Sequence, residues 1–308
     1  MFRLAHLTDP HVGPLPRPAL RHLLNKRITG WYNWHRSRGT LHDMELLASL
    51  VADIHAQLPD HIACTGDVCN IGLKAEWPTS RVFLEGLGDP DRVSFVPGNH
   101  DAYVPGALEG LLAQVAPWTR GDDGTEQRFP YLRRRGPIAL VGLSSAIPTL
   151  PFVASGRVGK RQMQAAEEML GDLGGDCYCF RIVLIHHPPH RGGAEPGRNL
   201  TDARAFEAMI GRTGAELILH GHMHVGSLAH IEGPRGPVPV IGAPSASARG
   251  GTLTHRAGYH LFTVGEDETG YFLTAELRGL TPEGTIGGLG MLSLGQLPEI
   301  SPAASKAR

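Results

Sequence analysis

The sequence predicts an α/β layered core, and two observations carry that reading. Short apolar strand candidates recur, and the early ones are separated by helical patterns, the alternation of a layered α/β fold. Each of these strands also runs into a polar cluster, and ligands of α/β sheets gather beyond the carboxyl ends of the strands.

The strand candidates are 2–8, 61–65, 92–96, 138–143, 181–185 and 216–219. Leu47, Leu50, Val51, Ile54 and Leu58 recur at three and four residues, a helical period, with Thr40 where an N-cap belongs. Residues 161–173 and 202–210 read as further helices. After Gly221 the segments 227–231, 238–241, 259–264 and 271–277 are strand-like, with Gly and Pro turns and no helix between them. They predict a largely antiparallel second sheet. From 284 the chain is rich in Gly, Ser and Pro and reads as a tail, 284–308, disordered near Pro302. One domain, 1–283, precedes it.

Composition narrows the function classes. The chain has 308 residues, 41% of them hydrophobic, enough for a substantial core, and a formal net charge of −1. That balance gives no global pull toward nucleic acid, and no extra DNA-binding domain is evident. No apolar run approaches the roughly 20 residues that span a bilayer. The opening MFRLAHLTDPH lacks the charged and apolar regions of a signal peptide. The four cysteines, Cys64, Cys69, Cys177 and Cys179, form no CxxC pair. They read as free thiols in a reducing compartment, and a cytoplasmic protein is expected.

Five polar clusters carry the chemistry. They are Asp9-Pro10-His11, Gly66-Asp67-Val68-Cys69-Asn70, Gly98-Asn99-His100-Asp101, His186-His187-Pro188-Pro189 and Gly221-His222-Met223-His224. Each alone is a weak signal. Together, in order and at strand ends, they supply carboxylates, a carboxamide and imidazoles without a thiolate. That donor set suits Mn, Fe or Zn in a catalytic site better than a structural zinc. A lone carboxylate such as Asp67 can bridge two cations and offset their repulsion. Glycines beside Asp67, Asn99 and His222 let the chain turn sharply after each strand.

The ordered set resembles the calcineurin-like metallophosphoesterase superfamily, in its compact bacterial-type phosphodiesterase branch. The resemblance implies a four-layer αββα sandwich of two mixed sheets, with a dinuclear site for divalent ions at the strand ends. It implies that Asp9, His11 and His224 bind one ion, that Asn99, His186 and His222 bind the other, and that Asp67 bridges them. His186 is taken over His187 by motif alignment, which leaves His187 for substrate contact. His100 would stand beside the phosphoryl group, held by an acid such as Asp101, and assist charge neutralisation or leaving-group protonation. Asn70 stands where many relatives carry Asp, beyond the ligands themselves, and is expected to contact substrate. His220 reads as a strand-end residue. Chemistry of this type uses a metal-bridging hydroxide in an in-line displacement.

Between Val12 and His42 there is no acidic residue, while Arg17, Arg21, Lys26, Arg27, Arg36 and Arg38 interleave with Leu20, Leu23, Leu24, Ile28, Trp31, Tyr32 and Trp34. The apolar spacing suits an amphipathic helix broken at Gly30. This insertion, 12–42, follows the Asp9 and His11 ligands and should overhang the site. It is either a lid that holds an anionic substrate through residues such as Arg27, a contact with anionic lipid through 17–38, or a packing element. His190, Arg191, Arg198 and Asn199, and the segment 243–247, are further rim candidates. The expected activity is hydrolysis of a small-molecule phosphodiester, of the cyclic nucleotide or glycerophosphodiester type. The alternatives are a lipid-linked pyrophosphate hydrolase of the UDP-diacylglucosamine hydrolase type and, remotely, a non-catalytic scaffold.

Overall fold

A computed structural model describes residues 1–124, 129–175, 179–267 and 270–296. Cys177 and the disorder expected near Pro302 lie outside these residues.

The first strand sets the architecture. Successive side chains of a strand point to opposite faces, and in the strand Phe2–Leu7 Ala5 and Leu7 enter one apolar cluster while Leu4 enters another. The same division runs through the strand Ile138–Gly142, where Ala139 and Val141 face away from Ile138 and Leu140. Strands buried on both faces need a partner layer on each, so four layers result.

In chain order the strands are β1 (Phe2–Leu7), β2 (His61–Cys64), β3 (Val93–Phe95), β4 (Tyr131–Arg135), β5 (Ile138–Gly142), β6 (Phe180–Leu184), β7 (Leu217–His220), β8 (Ser227–Gly233), β9 (Gly236–Gly242), β10 (Gly258–Asp267), β11 (Gly270–Leu280) and β12 (Ile286–Gln296). One six-stranded sheet has the order β12-β11-β10-β1-β2-β3 and the other β4-β5-β6-β7-β9-β8. In the first sheet β1, β2 and β3 are parallel, and β10, β11 and β12 continue it antiparallel on one side. In the second β5, β6, β7 and β9 are parallel, with antiparallel β4 and β8 at the edges. Leu4, Ala63, Leu140, Ile182, Leu184, Leu219 and Phe262 fill the space between the sheets. The helices Met44–Ala56, Trp77–Leu87 and Ala107–Val115 cover the first sheet, and Lys160–Gly174 and Ala203–Thr213 cover the second.

Four expectations need correcting. The strands after Gly221 do not form a sheet of their own. β8 and β9 extend the second sheet, with β9 parallel to β7, while β10 and β11 join the first through β1. Each sheet thereby gains strands flanking its parallel core. The tail expected from 284 begins instead as a strand: β12 pairs with β11, and Ile286, Leu292 and Leu294 pack on the core. Glycines at 287, 288, 290 and 295 interrupt its alternation and hide it in the sequence. The helix expected after Thr40 starts at Met44. Its cap is Asp43, whose Oδ1 accepts from the backbone N–H of Glu45 and Leu46 at 2.9 and 3.1 Å. Gly30 does not break the insertion: it lies inside the helix Arg27–Asn33, where a β-carbon would collide with Tyr103 and Ile71.

One buried pair ties the second sheet to its helices. Arg181 donates to Glu216 from Nε and Nη2 at 3.0 and 2.9 Å, and from Nη1 to the carbonyls of Leu170 and Thr213. Glu216→Ala leaves that guanidinium buried without its counter-charge, so unfolding free energy should fall by about 3–5 kcal/mol. Urea titration checks this, and an unchanged midpoint would disprove it.

Candidate metal centre

Parallel strands from both sheets end at one place. β1 delivers Asp9 and His11, β2 delivers Asp67, and the turn after β3 delivers Asn99 and His100. From the second sheet, β6 runs into His186 and β7 into His222 and His224. A parallel bridge between Thr8 and Ser245, beyond β1 and β9, joins the two sheets there.

The predicted ligands are held in an unusual backbone state. Seven non-glycine residues among those described have positive φ, and five are Asp9, His11, Asp67, His222 and His224, at 50°, 41°, 57°, 71° and 53°. Left-handed backbone is costly for such residues and concentrates at functional sites. Gly98 and Gly221 are needed for a different reason, which is space. A β-carbon on Gly98 would strike the Asp67 carboxylate, and one on Gly221 would strike Thr8 and Asp9.

Each carboxylate has one oxygen anchored and one aimed inward. Asp9 Oδ2 accepts from Thr8 Oγ1 at 2.7 Å and from the His222 N–H at 2.9 Å. Its Oδ1 is buried, lacks a well-aligned hydrogen bond, and lies 3.1 Å from His224 Nε2. Asp67 Oδ1 accepts from the His100 N–H at 2.7 Å, while Oδ2 lies 3.4 Å from His186 Nε2 and 3.9 Å from His11 Nε2. That oxygen therefore stands between the two ligand groups, as a bridge must.

The imidazoles are oriented from behind. His11 Nδ1 faces the Cys69 carbonyl at 3.3 Å and His186 Nδ1 faces that of Thr65 at 2.6 Å, so donation there frees each Nε2 as a lone pair. Nε2 of His11 and Nε2 of His224 then lie 3.2 Å apart. Ligand atoms of Asp9, His11, Asp67 and His224 fall within 4.8 Å of one another. On the other side, Asn99 Oδ1 lies 3.2 Å from His186 Nε2 and 2.8 Å from His222 Nδ1. Converging donors around a carboxylate oxygen that lacks an aligned hydrogen bond are the chemistry of a cation site, and Asp9, His11, Asp67 and His224 fit a divalent ion.

Charge within the group is finely balanced. Burial favours a protonated Asp67, but His186 and His100 outweigh it and hold its pKa below the usual range. Burial likewise opposes a charged His186, yet Asp67 and Asp9 raise its pKa to about 9. His100 goes the other way: burial, reinforced by Arg38, pushes it down to about 3, partly offset by Asp67.

The roles expected outside the ligand set change. Asp101 does not hold His100. Its buried carboxylate accepts from the N–H groups of Asp67, Cys69 and Gly98 and pins the ligand loops, and burial with Asp67 raises its pKa to about 7. His100 Nδ1 is held instead by the carbonyl of Asn70. Asn70 Nδ2 donates to the Val12 carbonyl. His187 has both ring nitrogens engaged, by Ser145 Oγ at 2.7 Å and the Ala154 carbonyl at 3.1 Å. Arg27 donates to the carbonyls of Ile71 and Gly72 and clamps the insertion to the domain. His187, Asn70 and Arg27, expected to meet substrate, thus each make hydrogen bonds to the framework. Their hydrogen-bond partners lie far away in sequence, which is why spacing did not show it. Arg191 turns away to Glu207, and Ser245 and Ser247 support the site from beneath.

Arg38 was legible only as one cation of the insertion. A π-helical stretch, Trp34–Arg38, brings it into the centre. Its Nη1 lies 2.8 Å from His100 Nε2 and its Nη2 lies 3.3 Å from His11 Nε2. Alongside opens a cleft of about 320 Å³ lined by Lys26, Asn33, Arg38, Tyr103, Phe152 and Arg198, among others, and by no carboxylate. Lys26 Nζ donates to Thr149 Oγ1 and the Val153 carbonyl, and burial lowers its pKa to about 8.

Comparison with known proteins matches residues 2–226 to the family model described as calcineurin-like phosphoesterase. No curated protein matches the chain significantly. Among solved structures, a dimetal phosphatase from Danio rerio is similar over 97% of this chain and 99% of its own, at 14% identity and a TM-score of 0.62. A purple acid phosphatase from yellow lupin aligns over 93% of this chain and 52% of its own, at 14% identity and a TM-score of 0.57. A 5'-nucleotidase precursor from Thermus thermophilus aligns over 92% and 55%, at 17% identity and a TM-score of 0.55. The chain spans about half the length of these last two, and at such identities the likeness is one of fold.

Proposed function

Because this chain belongs to the calcineurin-like phosphoesterase family, we propose that it hydrolyses a small-molecule phosphodiester with the help of two divalent ions. The observation that supports this most directly is the placement of Asp67 Oδ2 between His11 and His186, with the other expected ligands around it. The ions, of Mn, Fe or Zn type, would be held by Asp9, His11 and His224 and by Asn99, His186 and His222, with Asp67 shared. When bound, they supply Lewis acidity and an activated water.

The chain's own groups account for the rest of the reaction. Arg38 is a standing cation at the mouth of the centre and can neutralise phosphoryl oxygens. The Asn70 carbonyl fixes the tautomer of His100, leaving Nε2 to face Arg38 and the cleft. There Nε2, unprotonated in the free protein, can take up a proton from solvent when an anionic phosphate lies beside it, and return that proton to the leaving oxygen as the phosphorus–oxygen bond breaks. The carboxylate-free cleft favours an anionic substrate over a cationic or neutral one. A panel of cyclic nucleotides, glycerophosphodiesters and nucleotide-linked lipids with Mn²⁺-loaded protein tests the assignment. Hydrolysis of none of them, nor of bis(p-nitrophenyl) phosphate, would refute it and favour a non-catalytic scaffold.

A second reading has its own support, a lipid-linked pyrophosphate as substrate. Leu20 and Leu24 on the insertion are 83% and 86% exposed, Ile28 and Tyr32 follow at the same spacing, and Phe152 at the cleft is 87% exposed. Arg17, Arg21 and Arg36 lie in the same segment. Exposed apolar side chains among cations suit an anionic lipid surface, although no helix among the described residues is long and apolar enough to cross a membrane. Replacing Leu20, Leu24 and Ile28 with glutamine should weaken sedimentation with phosphatidylglycerol vesicles by about 10-fold or more, from lost apolar burial. Wild-type indifference to such vesicles would end this reading.

A further inference from the structure

One buried histidine near the centre has no place in the ligand set above. His42 closes the insertion. Its N–H donates to the Arg38 carbonyl at 3.0 Å, and the chain then extends into the Asp43 cap of the next helix. Its ring centroid lies 4.5 Å from that of His11 and 5.9 Å from that of His224, while Trp34 lies parallel to it on the insertion. Ligand nitrogens of His11, His42 and His224 all fall within 4.8 Å of one another.

One polarity of the surrounding hydrogen bonds leaves a ring nitrogen free. Ser245 Oγ donates to the Asp9 carbonyl at 2.7 Å, so it can accept from Ser247 Oγ, 3.5 Å away. Ser247 Oγ then has its lone pairs for His42 Nδ1–H, at 2.8 Å. This polarity leaves Nε2 of His42 as an unprotonated acceptor. That atom is buried and has no hydrogen-bond partner. A buried polar atom without a partner costs about 1–3 kcal/mol, and no other use of it is apparent in the packing. A second-sphere hydroxyl that sets the tautomer is also what a metal-binding imidazole needs.

We propose that His42 Nε2 is an additional donor to the cation held by Asp9, His11 and His224. The inference rests on the two-ion reading above and adds to it a ligand carried by the insertion. Asp9 is absent from the group formed by His11, His42 and His224, and ligands of one ion at about 2.0–2.2 Å lie no more than about 4.4 Å apart, so a small inward movement of His42 would complete the set. It thereby couples the insertion to cation loading: displacing 12–42 would remove a ligand.

Titration of metal-free protein with Mn²⁺ by calorimetry, and the visible spectrum of the Co²⁺-loaded protein, test this without recourse to turnover. Wild type should take up two ions. His42→Ala should bind one of them at least 10-fold more weakly and alter the Co²⁺ ligand-field bands, with its far-ultraviolet circular dichroism unchanged. Ser247→Ala keeps the ring but removes its partner, and should weaken the same ion by a smaller factor. If His42→Ala does not fold, His42→Gln and Ser247→Ala are read in the same way. Variants with wild-type affinities for both ions and an unaltered Co²⁺ spectrum would overturn the role of His42 alone. A wild type unable to hold two ions would overturn the two-ion reading itself.

Discussion

Asp67→Ala should reduce turnover by about 10³-fold or more, because the Lewis-acid contribution at stake is several kcal/mol and each 1.4 kcal/mol is tenfold. Metal analysis of the same variant should show fewer than two ions per chain. The reasoning is geometric. Asp67 Oδ2 is the carboxylate oxygen within 4 Å of both His11 Nε2 and His186 Nε2. Without it, two divalent ions would face each other unscreened by a shared anion. Oδ1 also accepts the His100 N–H, so the loop after β3 would loosen as well. Two ions retained with near-normal hydrolysis of bis(p-nitrophenyl) phosphate would show that the bridge lies elsewhere.

His100→Ala should behave differently, keeping both ions while losing about 10²–10⁴-fold in turnover, the usual worth of a positioned proton-transfer group. No metal ligand is removed, since His100 is held by the Asn70 carbonyl and faces Arg38. The variant also leaves Arg38 in place, which makes it decisive. If Arg38 alone stabilises the developing charge, the loss will be less than about tenfold, and His100 is then only its support. Paired measurements of metal content and turnover separate these outcomes.

The strand ends were legible because their physics is local. Apolar runs of four to eight residues followed by Asp, Asn or His announce themselves in one dimension, and the seven expected ligands converge here. What escaped was set by contacts distant in sequence. The helix Ala107–Val115 is short and carries Gly110, which is pressed against the Trp77 ring, so its pattern is weak. The helix Trp77–Leu87 opens with Pro78 and contains Gly86, both poor markers of a helix interior. Arg38 and His42 enter the centre through one π-helical stretch and the turn after it, and nothing in their spacing distinguishes them from other basic residues. Asp101 beside His100 in sequence suggested a partnership that the backbone geometry assigns to Asn70 instead.

The left-handed backbone at Asp9, His11, Asp67, His222 and His224 sets up a conflict between selection pressures. Glycine or asparagine would adopt those conformations with less strain, by about 1 kcal/mol at a position. A mutant library screened for heat resistance in the presence of a chelator should therefore drift toward such substitutions and emerge sturdier but inert. The same library screened with Mn²⁺ in the medium should keep all five, because only there does the favourable free energy of cation binding outweigh the contortion.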